Sequence, residues 1–165
     1  MAELKSLGFN AEPKNGMYSG GKKMRQVHSQ FSLASGDTAA NDILILADDL
    51  ALGDRVHRIF AVGGIAATAG ASDNDIGFYS RDGEGNLVAL DAGNELLDGG
   101  SFTSTVAAGD LIASGTDRTK NVADLAGVNR TADYGDIVLG MKLNSNPTAA
   151  LAMDLDIVVE EATVS

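Results

Sequence analysis

Two stretches near the end of the chain decide the fold class: DIVLGMKL at residues 136–143 and LAMDLDIVV at residues 151–159. In both, an apolar side chain occupies every second position, starting from Ile137 in the first and from Leu151 in the second. Because side chains alternate across a strand, this period predicts two β-strands with one buried and one solvated face. The NSNPT segment between them, residues 144–148, is typical of a turn. The strands form either a hairpin or a pair joined by a short crossing between two sheets.

Three further strands are predicted in the first half of the chain. Residues 24–33 alternate, with Val27, Ser29, Phe31 and Leu33 on one side. Residues 42–47, DILILA, are apolar on both faces, which predicts a strand covered on both sides. Residues 55–62 are less regular, because Arg58 falls in the apolar phase that is set by Val56, Phe60 and Val62.

A hairpin and a helix are predicted further along. Strand patterns at residues 73–80 and 86–91 flank the glycine-rich loop 81–85, which predicts a hairpin. Residues 101–107 predict a short strand. Residues 117–127 are the best helix candidate, with Asp117 as N-cap and Gly127 just after the last turn.

The fold class follows from this count of about eight short strands and one short helix. Twenty glycines against two prolines suit many tight turns between short strands. We predict an all-β protein, a jelly-roll-like β-sandwich over residues 24–165. Residues 1–23 have weak periodicity and are predicted to form an extended N-terminal arm. Strands do not alternate with long helical patterns, which disfavours a parallel α/β sheet.

Composition and charge exclude several classes of function. The chain has 165 residues, no cysteine and a net charge of −11. Residues 1–30 hold five basic and two acidic residues, a net +3, whereas the remainder holds 7 basic and 21 acidic residues, a net −14. An acidic body repels phosphates, so no nucleic-acid partner is expected. No apolar run suits a signal peptide or a membrane helix, so no membrane partner is expected.

The residues that could carry chemistry are sparse, and we predict no enzyme and no cofactor. His28 and His57 lack a second histidine at ligand spacing, and no Gly-x-Ser-x-Gly elbow occurs. The acidic loops Asp73–Asp75 and Asp82–Glu84 offer oxygen ligands for Ca²⁺, although turn chemistry explains them better. Asp154 and Asp156 could serve glycoside hydrolysis, but the solvated side of the last strand is the better interpretation.

Four segments carry a resemblance to a known family: DILILADDLALGDRVHRIFAV, SDNDIGFYSRDGEGNLVALD, DRTKNVADLAG and LAMDLDIVVEEA. In general texture they resemble the capsid cement or head decoration proteins of tailed bacteriophages. The resemblance implies a jelly-roll β-sandwich, made in the host bacterial cytoplasm, that stabilises the mature head from the outer capsid surface. It implies the major capsid protein as partner and self-association, with a homotrimer favoured and a dimer possible.

The N-terminal arm is the candidate contact with the capsid, because it combines apolar and basic residues ahead of an acidic body. The predicted contact residues are Leu4, Leu7, Phe9, Lys14, Tyr18, Lys22, Lys23 and Arg25. Two alternatives stay open at this point. One is a carbohydrate- or receptor-binding β-sandwich module of a phage fibre or surface adhesin, and exposed aromatics in a groove would favour it. The other is a metal enzyme of the cupin type, which requires several histidines on neighbouring strands.

Overall fold

The computed structural model describes residues 3–5, 17–19, 22–34, 36–63, 65–67, 73–102, 106–145 and 150–162, and for residues 3–5, 17–19, 22 and 66–67 it describes the backbone. These residues form twelve strands and one helix in the following order: β1 (Glu3–Lys5), β2 (Met17–Ser19), β3 (Lys22–Leu33), β4 (Ile43–Leu50), β5 (Arg55–Ala61), β6 (Ala66–Ala67), β7 (Asn74–Arg81), β8 (Leu87–Ala89), β9 (Leu97–Gly100), β10 (Gly109–Asp110), α1 (Val122–Ala126), β11 (Ile137–Leu143) and β12 (Leu151–Glu160).

The strands form two sheets of six. In sheet A the order is β1-β4-β11-β7-β8, and β9 also pairs with β7. In sheet B the order is β10-β5-β12-β3-β2, and β6 also pairs with β12. The prediction of an all-β sandwich with one short helix is confirmed. Because β11 lies in sheet A and β12 in sheet B, the chain crosses between sheets here, and the hairpin alternative is wrong.

The two sheets enclose the main core between their inner faces. Sheet A contributes alternate side chains such as Phe78 and Leu139, and sheet B contributes Phe31, Leu155 and Ile157. All five are buried, and each belongs to the apolar phase of its strand. The alternation along β3 and β12 therefore reflects the burial of one face of each strand, as predicted. The two strands pair without a register shift from Leu151 to Glu160.

Strand β4 is covered on both sides, as its sequence predicts. Every residue from Ile43 to Ala47 is buried. Leu44 and Leu46 join the main core, whereas Ile43 and Ile45 belong to a second apolar cluster. We call this second group, which lies on the opposite face of sheet A, the outer cluster; its buried members are Ile43, Ile45, Tyr79, Leu87 and Val138.

A loop between β8 and β9 covers part of the outer cluster. Glu95 accepts hydrogen bonds from the Phe78 amide at 2.9 Å and from the Gly93 amide at 3.1 Å. The Tyr79 hydroxyl donates to the Gly93 carbonyl at 3.1 Å. The loop can lie this close to sheet A because residue 77 is a glycine. A Cβ at this position would lie 2.0 Å from Glu95 Oε2. The loop is therefore held on sheet A by hydrogen bonds that a side chain at residue 77 would disrupt.

A β-bulge in β5 corrects the predicted phase of that strand. Val158 pairs with Arg58 and Val159 with Val56, so His57 is the extra residue. A bulge shifts every later side chain to the other face. Ile59 and Ala61 are therefore buried, whereas Phe60 is half-buried and Val62 is 39% exposed. The prediction that Phe60 and Val62 share the buried phase of Val56 is wrong.

The helix is shorter than predicted and has a different N-cap. Its N-cap is Asn121, whose side chain accepts a hydrogen bond from the Asp124 amide at 2.9 Å. Asp117 instead caps a turn by accepting from the amide and hydroxyl of Thr119. The predicted C-terminal glycine is confirmed, since Gly127 has a φ of 64° and follows the last helical residue.

Candidate interaction surface

The predicted contact residues of the N-terminal arm are divided among several elements. Leu4 lies in β1, which pairs with β4 of sheet A, and Tyr18 lies in β2, which pairs with β3 of sheet B. Leu7, Phe9 and Lys14 lie outside the described residues. Lys22, Lys23 and Arg25 belong to β3 itself. Strand β3 thus includes the last two residues of the predicted arm, and the described pieces β1 and β2 each pair with one of the two sheets.

Arg25 is a buried residue of the body, and its side chain is bound within the chain. Only 7% of its side chain is exposed. Its guanidinium donates to the carbonyls of Asp48 at 3.0 Å and Asp49 at 3.2 Å, and its Nε lies 3.9 Å from Glu161. A buried cation needs such partners, because an uncompensated charge in the interior is costly. Arg25 thus joins β3 to the end of β4 and leaves almost no surface for another protein.

Lys23 is also paired within the chain. Its ammonium lies 3.1 Å from Glu161, although 43% of the side chain remains exposed. The same glutamate follows β12, so the basic start of β3 meets acidic residues at the C-terminal end of its neighbour. The positive charge of residues 22–25 is therefore partly balanced inside the molecule, and less of it remains for an acidic partner than the sequence suggests.

The carboxylates near this junction also hold the backbone. Asp54 accepts from the amides of Ala51 at 2.9 Å and Ala162 at 2.7 Å. Burial raises the pKa of this carboxyl, against the opposing effect of the two amides and of Arg25. The turn after β4 is thereby fixed to the residues after β12, which makes this end of the sandwich a rigid support for β3.

The outer face of sheet B is polar and open. His28 lies between two carboxylates of β12, with Nε2 3.0 Å from Asp154 and Nδ1 3.1 Å from Asp156. About half of the histidine side chain is exposed, at 51%. Asp154 and Asp156 therefore lie on the solvated side of the last strand, as the alternation predicts, and they bind a cross-strand neighbour.

The second histidine, His57, lies on β5, which pairs with the opposite edge of β12 from β3. His57 Nε2 is 2.9 Å from Glu160, which also accepts from Arg55 at 2.9 Å. Next to them the Arg58 guanidinium lies over the Phe60 ring, 4.2 Å from its centroid, a cation–π contact. Each histidine is thus occupied by carboxylates of the sheet, which is not the inward-facing histidine arrangement of a cupin site.

The carboxylates of the two acidic loops accept hydrogen bonds from backbone amides. Asp82 accepts from the amides of Glu84 at 2.9 Å and Asn86 at 2.8 Å, and these bonds, led by that of Asn86, lower its pKa. Asp75 accepts from the Gly99 amide at 3.0 Å. Within the described residues, no group of three or more histidine, aspartate or glutamate side chains could hold a metal ion. Asp82 thus shows turn chemistry, whereas Asp75 lies in β7 and binds the neighbouring strand β9.

The described surface includes two open depressions. One, of about 240 Å³, is lined by Gly53, Arg55, Asn121, Arg130 and residues 160–162. The other, of about 370 Å³, extends from Asn94 to Leu125 past Thr116 and Lys120. Neither described lining includes a histidine or a serine.

None of the aromatic side chains whose burial the structure describes is fully exposed. Phe31, Phe78, Tyr79 and Phe102 are buried, and Phe60 and Tyr134 are half-buried. Sugar-binding sites present exposed aromatic faces, so these residues give the carbohydrate-binding alternative no support. In the part of the chain that the structure describes, no helix is long and apolar enough to cross a membrane.

Comparison with known proteins yields one informative likeness. No family model matches the chain, and no curated protein sequence matches it. The fold is similar to a chain of a solved structure described as "Capsid of Ralstonia phage GP4", with a TM-score of 0.58 and 15% sequence identity. The likeness covers 98% of this chain and 99% of that one. At this identity it establishes a shared fold from end to end.

Proposed function

We propose that this chain is a structural protein of a bacteriophage virion, a cement or decoration protein that binds the outer surface of the major capsid protein lattice. The observation that carries the proposal is the end-to-end likeness in fold to a chain of a phage capsid, over 98% of this chain and 99% of the other. The sequence resemblance of residues 42–161 to cement and decoration proteins supports the same role.

The physical properties of the body suit this role. A protein that reinforces a shell must be stiff, and β4 and its neighbours in sheet A are packed on both faces. It must also stay soluble at the high local concentration of a decorated surface, which a net charge of −11 favours. On the outer face of sheet B, Asp154 contacts His28 and Glu160 forms an ion pair with Arg55, so these carboxylates have partners within the molecule.

The proposed contact residues are the predicted ones without Lys23 and Arg25. Lys23 and Arg25 are withdrawn from the contact, because Glu161 and the Asp48 and Asp49 carbonyls occupy them. Leu4, Leu7, Phe9, Lys14, Tyr18 and Lys22 remain the proposed residues. Such a short segment binds weakly by itself, but self-association on a lattice links several copies of the contact, and the effective concentration raises the total affinity.

The proposal is tested with heads of the phage that encodes this chain, prepared without the protein. The purified full chain and a variant lacking residues 1–16 are each added, and occupancy is measured by cryo-electron microscopy. The deletion stops before β2 and keeps β3, so the sandwich should still fold, which circular dichroism checks. We expect the full chain to cover the outer surface and the deletion to lower apparent affinity by about tenfold or more.

A surface variant controls for nonspecific effects. Val88 is 49% exposed in β8, the short strand at the opposite edge of sheet A from β1, and Val88→Ser should bind heads like the full chain. Bare heads with the full chain would refute the capsid role. Normal binding by the folded deletion variant would leave the role intact and refute the assignment of residues 1–16 to the contact.

A further inference from the structure

Strand β1 differs from its neighbours in direction. It has three residues, lies at the edge of sheet A, and runs parallel to β4, with Glu3, Leu4 and Lys5 opposite Ile43, Leu44 and Ile45. The other strand pairs in the described residues are antiparallel. A parallel pair cannot be closed by a tight turn, so β1 reaches its place through a long connection.

The connection leads from one sheet to the other. Strand β1 pairs in sheet A and β2 pairs in sheet B, and residues 6–16 separate them. A chain of this length spans at most about 40 Å when extended. A compact domain of this size has a radius of gyration of about 15 Å, and hence a diameter of about 40 Å. The same connection is therefore long enough to carry β1 to β4 of an adjacent molecule.

We propose that β1 is an exchangeable strand and that the edge of β4 forms an interaction surface for β1 of a second copy of this chain. A second copy fits this edge because its β1 forms the same backbone hydrogen bonds in the same register. The hydrogen bonds that open in one molecule form again in the next, so exchange costs mainly entropy. A strand from a different protein would first have to compete with a segment that already matches the edge.

The short length of β1 makes opening feasible. Among the described residues, three pairs hold it on β4, whereas ten hold β3 on β12. Short terminal strands open at low cost, well below global unfolding. Binding of β1 to β4 of a second molecule then competes with its return to β4 of its own chain. The two become comparable when the protein concentration approaches the effective concentration of β1 at its own β4, which is about 1 mM for a short linker. The inference does not depend on the proposed function.

The absence of cysteine from the chain allows a direct test in solution. One chain carries Lys5→Cys and a second carries Ile45→Cys, two positions that are Cα partners across β1 and β4. Neighbouring strands are about 4.8 Å apart, within the range that a disulfide bridges. The two chains are mixed at about 1 mM, oxidised gently, and separated under non-reducing conditions. Mass tags on one chain identify mixed dimers.

The matched control pairs Lys5→Cys with Val138→Cys. Val138 lies in the same outer cluster as Ile45 and is also buried, but on β11, which pairs with β4 and β7. We expect about tenfold more mixed dimer from the Ile45 pair than from the Val138 pair. Equal yields would overturn the proposal.

Two further variants keep the outcome decisive. A single chain carrying both Lys5→Cys and Ile45→Cys should form an internal disulfide at low concentration. Failure to form it would also overturn the proposal, because β1 would then not lie on β4. If Ile45→Cys does not fold, Glu3→Cys and Ile43→Cys replace the pair at the other end of the strand. Because no capsid is present, this result is separate from the test of head binding.

Discussion

The outer faces of the two sheets differ in what covers them. On sheet A, Ile43, Tyr79 and Val138 are at most 2% exposed. On sheet B, His28 is 51% exposed and its partner Asp154 is 37% exposed. Sheet A thus requires a further layer over its outer face, and residues 91–95 provide the described part of it. Sheet B needs none, because its charges pair with one another across the strands.

This difference predicts where substitutions matter for stability. Truncating a side chain in the outer cluster removes packing on both the sheet and its cover. Truncating one on the outer face of sheet B removes surface that is already partly in water. Matched pairs of variants, one on each face, can therefore confirm or refute the comparison.

The largest effect is expected for Ile43→Ala, which empties part of the outer cluster. Ile43 is fully buried, so the reduced burial and the resulting cavity should lower the free energy of unfolding by about 3 kcal/mol. The matched variant is Val158→Ala on sheet B, a half-buried residue that should cost about 1 kcal/mol or less. Chemical denaturation measures both. Equal losses would contradict the distinction between the two faces.

A smaller loss is expected when a side chain is added beneath the cover. Gly77→Ala places a methyl group 2.0 Å from Glu95 Oε2 and 2.3 Å from the Gly93 backbone, so the loop must move. We expect a loss of about 2 kcal/mol, typical of overpacking. Gly83→Ala is the control, because a Cβ there meets nothing within 4 Å, and it should change stability by less than about 0.5 kcal/mol. A neutral Gly77→Ala would show that the loop does not lie on the sheet.

The sequence predicts the strands of both sheets and the double coverage of β4, but it does not predict what covers sheet A. The alternation along residues 24–33 and 151–159 predicts β3 and β12, and the unbroken apolar run after Asp42 predicts the double coverage of β4. These signals are local, because burial on one or both faces appears directly in the residue pattern. The sequence does not predict in this way which residues cover sheet A. Glu95 binds the Phe78 amide and lies against Gly77, and no short residue pattern encodes contacts between positions so far apart.

The predictions that failed depend on distant partners. The bulge at His57 depends on which residues of β12 lie opposite it, so the sequence of β5 alone misleads about Phe60. Arg25 has the character of a basic surface residue, yet carbonyls more than twenty positions away enclose it. Asp117 and Asn121 are both good N-cap residues, and the local sequence cannot choose between them. The assignment of the contact segment remains a prediction.

Removing one hydroxyl from the outer cluster should have a measurable effect that depends on pH. Burial, reinforced by Glu95 and Asp75, raises the pKa of Tyr79 well above its ordinary value of 10.0. The unfolded chain ionises this phenol above about pH 10 while the folded chain does not, so stability should fall as pH rises beyond that point. Tyr79→Phe should abolish this part of the fall and cost about 1 kcal/mol near neutral pH, because the hydrogen bond to Gly93 is removed.

Absorbance of the tyrosinate ion provides the check for that prediction. In the folded protein Tyr79 should resist ionisation until the chain unfolds, because burial raises its pKa. Tyr79→Phe should remove this late step. Tyr134→Phe is the matched variant, a half-buried tyrosine whose removal should leave the late step in place. If the late step survives in Tyr79→Phe, the hydroxyl is not shielded by the cover.

The smallest effect is expected on the open face of sheet B. His28→Gln removes contacts of about 3 Å to Asp154 and Asp156, yet it should change the free energy of unfolding by less than about 0.5 kcal/mol. Water solvates both carboxylates when the histidine is absent, which is the reason that exposed pairs contribute little. Denaturation at low and high salt measures the change. A loss comparable to that of Ile43→Ala would mean that something shields this face from water, and the contrast between the two sheets would then fail.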